Sequence, residues 1–120
     1  MSGVMHKVYK GAVWSSDTID DDAESDPFSM EDFNGLYVET VHDGTLDGSV
    51  VLQGCNTVGG TFQTLTDASG NDIVVATPAG GDASFQQTVS NVYAPFVRFA
   101  YENDSGSGTL AITVTRVRLT

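Results

Sequence analysis

Three sets of side chains in this 120-residue chain have types and spacings that could do chemistry. The first is His42 beside Asp43, a base next to a carboxylate that could orient it. Neighbours in an extended strand point to opposite faces, and no Ser stands in a nucleophile elbow, so a surface histidine at a strand end is expected instead. The second is Asp20, Asp21 and Asp22 with Glu24, hard oxygen donors of the kind that hold calcium. The spaced Asp-x-Asp-x-Asp-Gly order that aims such ligands at one point is missing, so a solvated acidic loop without metal is expected. The third is Arg98, Arg116 and Arg118, three of the five bases. They either pair with acids of their own domain, such as Glu39 or Glu102, or make a subunit contact in which the acidic face of one copy meets these arginines on the next.

The remaining signals carry less chemistry. With 16 acids, some carboxylate pair falls within glycosidase distance by chance. The glycine-rich stretches 58–61 and 105–108 lack the Lys and following helix of a phosphate cradle and read as turns. Cys55 has no Cys or His partner at ligand spacing and reads as a small buried strand residue. Trp14, Tyr9, Tyr37, Tyr93 and Tyr101 are scattered, which makes a sugar-stacking platform the weaker reading. No catalytic residue and no cofactor is expected.

The elements that position these residues read as strands. Residues 96–101 and 109–115 are rich in β-branched and aromatic side chains around a turn cluster at 102–108, the pattern of a β-hairpin. Cross-strand pairing in that hairpin would gather Arg98, Arg116 and Arg118 on one face. Leu110, Ile112 and Val114 share one parity and Val117 and Leu119 the other, which predicts a bulge or bend near Thr115 and Arg116, or a strand covered on both faces. Residues 35–42 and 48–55 flank two Asp-Gly signals and read as a second hairpin with a longer loop. Shorter strands are expected at 61–65 and 73–76, and 84–89 alternates cleanly, with Phe85, Gln87 and Val89 on one side. Residues 4–14 form a strand or extended arm with two bases, Lys7 and Lys10. Residues 15–27 pack five aspartates and one glutamate without apolar periodicity and read as an exposed, mobile loop. One helical turn near 29–33 is the most helix the pattern allows.

Turn-punctuated short strands without intervening helices predict a single all-β antiparallel sandwich of about eight strands, jelly-roll or immunoglobulin-like. The divisions are an N-terminal strand or arm at 1–14, an acidic region at 15–34 and the sandwich body at 35–120. A 12.7 kDa chain of this length buries enough surface to need no disulfide or metal. No apolar run reaches the roughly 18 residues of a membrane span, and residues 1–7 lack a signal-peptide pattern, which predicts synthesis in a cytoplasm with retention there or release by lysis. The net charge of −11 disfavours nucleic acid and favours a basic or cation-rich partner.

Two segments carry a resemblance to a known family. Leu46-Asp47-Gly48-Ser49-Val50-Val51-Leu52-Gln53-Gly54-Cys55-Asn56 resembles a Gly-x-Val-x-Leu/Val-x-Gly-Ser-Asn strand and turn, with Cys55 where Ser is usual and Thr57 where Asp is common. Tyr93-Ala94-Pro95-Phe96-Val97-Arg98-Phe99-Ala100-Tyr101, with Ser105-Gly106-Ser107-Gly108-Thr109-Leu110 after it, resembles a Tyr-x-x-Val-Arg-x-x-Tyr…Gly-x-Gly-Thr-Leu segment. Both patterns are similar to those of small β-sandwich virion proteins of tailed bacteriophages that decorate or cement the head. The resemblance implies a non-enzymatic structural protein made in the host cytoplasm, located on the capsid surface, bound to the major capsid protein and often trimeric. Under it, Lys7, Lys10 and Trp14 of the arm and Asp20, Asp21 and Asp22 of the acidic loop are candidates for shell contact, and Arg98, Arg116 and Arg118 for subunit contact. Deleting residues 2–10 is then expected to abolish shell binding and leave the domain folded. A carbohydrate- or receptor-binding module of a tail, neck or fibre is the alternative.

Overall fold

A computed structural model describes residues 5–57 and 59–119, with side chains from Tyr9 to Arg118 apart from residue 58. Residues 2–4 of the expected arm, the side chain of Lys7 and Val58 in the expected 58–61 turn lie outside the described residues. The strands are β1 (Met5–Ser15), β2 (Ala23–Glu24), β3 (Phe28–Ser29), β4 (Gly35–His42), β5 (Asp47–Cys55), β6 (Gln63–Thr64), β7 (Val74–Ala76), β8 (Ala83–Ser90), β9 (Phe96–Ser105) and β10 (Leu110–Leu119). They form two antiparallel sheets. The first has the order β1-β10-β4-β8; the second has the order β2-β9-β5-β6, with β3 also on β9 and β7 also on β5. β2 and β3 are one strand interrupted at Ser25-Asp26-Pro27, and β6 and β7 are another. That makes eight strands in two sheets. Every connection crosses from one sheet to the other except those through β5, β6 and β7, which is the path of a jelly roll.

Period-two alternation builds the core. Leu36 and Val38 of β4, Leu110, Ile112 and Val114 of β10, Val50 and Leu52 of β5 and Val97, Phe99 and Tyr101 of β9 are all buried between the sheets. Each such side chain contributes roughly 1.5–3 kcal/mol on burial.

Neither predicted hairpin forms. β9 and β10 lie in opposite sheets, as do β4 and β5. The apolar faces of β9 and β10 look at each other across the interior instead of lying side by side. A corner crossing and a hairpin share the same local signature of two amphipathic strands around a Gly/Asp loop, and only the burial of both faces separates them. The bulge expected near Thr115 and Arg116 is also absent. β10 pairs with β4 without a register shift, and the shifts fall on the β1 side, at Met5/Lys7 and Ala12/Trp14. Thr113, Thr115 and Val117 on its other face are half-buried, in a strand flanked on its two sides by β1 and β4.

The N-terminal segment is the edge strand of the first sheet, paired with β10 from Met5 to Ser15. Removing residues 2–10 would therefore take Met5 to Lys10 out of this edge strand. The 15–27 stretch is exposed but tied down. Ile19 bridges Gly108, and β2 adds to β9 through Ala23↔Tyr101 and Glu24↔Ala100. Buried Ser25 replaces the missing ladder at the interruption: its hydroxyl accepts from Phe99 N at 2.9 Å, while its own N–H donates to Phe99 O at 2.9 Å. At 29–33 the chain makes a reverse turn, Phe33 N to Met30 O at 2.9 Å with Asp32 at φ 69°, and no helix occurs among the described residues.

Candidate interaction surface

The registers sort the charges into two ends. Asp17, Asp20, Asp21, Asp22, Asp43, Asp47, Asp82, Glu102 and Asp104 cluster where β1, β4, β9 and β10 exchange loops, and no base accompanies them. All five bases lie toward the opposite end: Lys7 and Lys10 on the first half of β1, Arg98 near the start of β9, Arg116 and Arg118 on the last half of β10. Asp26, Glu31 and Asp32 share that end with them.

At the acidic end the two crossing loops interlock. Asp43 Oδ1 accepts from the backbone N–H and the hydroxyl of Thr109, both at 2.8 Å. These hydrogen bonds to the ionised form hold the Asp43 carboxyl below its ordinary value. Thr45 N donates to Ser107 O at 2.7 Å, and Ser107 N to Thr45 Oγ1 at 3.1 Å. Gly106 stands at φ +80°, and a Cβ there would overlap the Thr45 carbonyl. Asn103 latches the acidic loop onto β9. Its N–H donates to Asp22 Oδ1 at 2.7 Å, its amide to Asp20 O at 3.0 Å, and its own Oδ1 accepts from Tyr101 Oη at 2.9 Å. Burial, then Asp47 and Asp104, push the Tyr101 phenol above its ordinary value. The expected loop is thus a fixed acidic surface.

The arginines are placed separately, because β9 and β10 do not pair. Arg116 Nη1 donates to Ser29 O at 2.6 Å, and its guanidinium lies 4.4 Å from the Tyr9 ring centroid, 5.3 Å from Phe33 and 5.7 Å from Phe28. It closes one end of the sandwich. Arg98 is on the outer face of the second sheet, with Nη2 3.1 Å from Glu24 Oε2, Nε donating to Gln53 Oε1 at 2.8 Å, and Phe62 at 4.4 Å. Its acid partner is Glu24, not Glu39 or Glu102. Arg118 is exposed. Among the shell candidates, Asp20, Asp21 and Asp22 come together at the acidic end, with half-buried Trp14 packed on the core nearby. Exposed Lys10 and the backbone position of Lys7 fall toward the other end.

His42 differs from its expected surface position. It is 2% exposed, points into the core like Leu36, Val38 and Thr40, and stacks on Phe85 with centroids 5.7 Å apart. Neither ring nitrogen of His42 has a hydrogen-bond partner among the described residues, nor does Thr40 Oγ1. The parity of 35–42 carried this signal, since His42 shares the face of Leu36 and Val38. Cys55, expected to be buried, is half-buried at the end of β5, its thiol 3.1 Å from Thr57 O. An apolar groove of about 270 Å³ between Pro27, Phe28, Phe62 and Phe96 had no sequence signal, because these residues come from three distant segments.

The fold is shared with phage proteins. It superimposes on the SPBc2 prophage-derived protein YomS with a TM-score of 0.57 at 14% identity, over 95% of this chain and 97% of that one. It superimposes on the enzymatically active domain of tailspike protein 4 from bacteriophage CBA120 with a TM-score of 0.51 at 12% identity, over 95% of this chain but 19% of that one. This chain is thus the length of YomS and about a fifth of the tailspike domain. No family model and no curated protein matches the sequence.

Proposed function

We propose that this chain is a non-enzymatic structural protein of a tailed-phage virion, a decoration protein bound in many copies to the outside of the head. The observation that carries the reading is the end-to-end likeness to a small prophage-derived protein, in which one jelly roll accounts for nearly all of both chains. Charge supports it. The acidic end, tied down by Asn103 and the interlocked loops, presents Asp20, Asp21 and Asp22 as a surface that suits a basic partner. In this role the protein bridges neighbouring shell subunits and adds contacts that resist internal pressure. A glycan- or receptor-binding module of a tail or fibre is the second reading, and the apolar groove at Phe28, Phe62 and Phe96 favours it.

Quantitative mass spectrometry of gradient-purified particles from the native source tests the proposal by counting this chain against the major shell protein. Hundreds of copies per particle support decoration. A handful of copies moves the protein to tail, neck or fibre, and absence from particles overturns the virion role.

A further inference from the structure

The four sheet edges of the sandwich are not treated alike. At one edge, β1 carries two register shifts as well as Lys7 and Lys10. In the second sheet, the β2/β3 edge is broken at Ser25-Asp26-Pro27, and the β6/β7 edge consists of pieces two and three residues long. Bulges, charges, prolines and shortness are the devices that stop a foreign strand from adding to an open edge. β8 has none of them. Ala83–Ser90 runs eight residues without a charge or a proline, in unbroken register with β4 from Gly35↔Ser90 to His42↔Ala83. Among the described residues it pairs with β4 alone, and all but Phe85 and Val89 are exposed. A groove of about 510 Å³ flanks its second half, between Gln87, Val89 and Asn91 on one wall and Asp67, Asp72, Ile73 and Val74 on the other.

We propose that β8 is a self-association edge. Two copies pair β8 with β8 antiparallel across a two-fold axis, and two four-stranded sheets become one of eight. Charge selects a second copy as the occupant. A chain of net charge −11 repels its own kind over most of its surface, and β8 is the long exposed strand with no charge of its own, its nearest carboxylates being Asp82 before it and Asp67 and Asp72 across the groove, beside the paired segment. The strand is also self-complementary. A two-fold at Gln87 sets Phe85 opposite Val89 on the interior side, and Gln86 opposite Thr88 and Ser84 opposite Ser90 on the other, leaving Asp82 outside the paired segment. The backbone groups of the edge supply the hydrogen bonds. This inference does not rest on the virion reading, and it gives a pair where the sequence resemblance implies a trimer.

Sedimentation velocity on the full chain, up to about 100 μM, tests it, because a pairing built on one strand belongs in the micromolar range. The expected result is a dimer whose association strengthens with added salt, as screening relieves repulsion between the two acidic bodies. Gln86→Lys/Thr88→Lys places four like charges face to face across the axis, and should give a monomer with unchanged circular dichroism. Mixing it with Gln86→Glu/Thr88→Glu should restore a one-to-one dimer, which also shows that both variants fold. A wild-type monomer over the whole range, an assembly other than a dimer, or a dimer indifferent to the variants would overturn the proposal.

Discussion

Gly106→Ala should be among the most damaging single-methyl additions to this chain, and Gly70→Ala supplies its control. Both glycines adopt left-handed backbone, at φ +80° and +84°. An L-residue there costs about 1 kcal/mol, and nothing lies within 4 Å of the Cβ position at Gly70, so that cost is the whole expectation for Gly70→Ala. At Gly106 the new methyl overlaps the Thr45 carbonyl, which is backbone and cannot rotate away. The two crossing loops must separate. Separation breaks the hydrogen bonds from Thr45 N to Ser107 O at 2.7 Å and from Ser107 N to Thr45 Oγ1 at 3.1 Å, each worth about 1 kcal/mol. The total is about 3 kcal/mol against about 1. For a domain of this size, with a midpoint shift of about 4 °C per kcal/mol, Gly106→Ala should lower Tm by about 12 °C and Gly70→Ala by about 4 °C. Thermal and urea unfolding followed by circular dichroism reads both. Equal shifts would refute the interlocked loops as a stabilising contact.

Other perturbations probe other parts of the molecule. Arg116→Ala removes the Ser29 hydrogen bond and the cation over Tyr9, Phe28 and Phe33; a loss of about 2–3 kcal/mol in urea unfolding is expected, whereas a loss below about 0.5 kcal/mol would make Arg116 a bystander. Thr40→Val keeps the shape and deletes a buried hydroxyl without a partner, so it should raise stability by about 1 kcal/mol; a clear loss would mean that the hydroxyl is satisfied by internal water. Asp43 has a depressed folded-state pKa, so its contribution is present above the unfolded carboxylate value of about 3.9 and lost as pH falls through the folded value. The stability gap between wild type and Asp43→Asn should therefore be wide at neutral pH and close in acid, and a gap constant with pH would refute the charge-assisted bond to Thr109.

The sandwich class and the strand positions were legible because they depend on local rules. Alternation in 84–89 and 110–115 and the Gly/Asp clusters between strands fixed where chain is extended and where it turns. Pairing was not legible. The segments 96–101 and 109–115 look like hairpin arms in any local window, and only the global need to bury Val97, Phe99 and Tyr101 against Leu110, Ile112 and Val114 sends them to different sheets. β2 and β3 were invisible because each is two residues long in or beside a polar stretch without apolar alternation, and Ser25 does with a hydroxyl what a ladder residue does with its backbone. The surface followed the same division. The acidic loop was readable from composition, but its attachment through Asn103, 81 residues from Asp22, was not. The arginines were readable as a group, but the crossing of β9 and β10 to opposite sheets parts Arg98 from Arg116.

The separation of charge gives the molecule a turning moment as well as a net charge. Every base lies toward one end and a block of carboxylates occupies the other, so a copy drifting near a positively charged surface experiences a torque before any atoms touch. Orientation is then chosen during approach, acidic end first, and few encounters are wasted on the wrong face. Such alignment works only over the reach of the unscreened field, about 8 Å at physiological ionic strength. Rising salt should therefore slow attachment well before it weakens a seated contact.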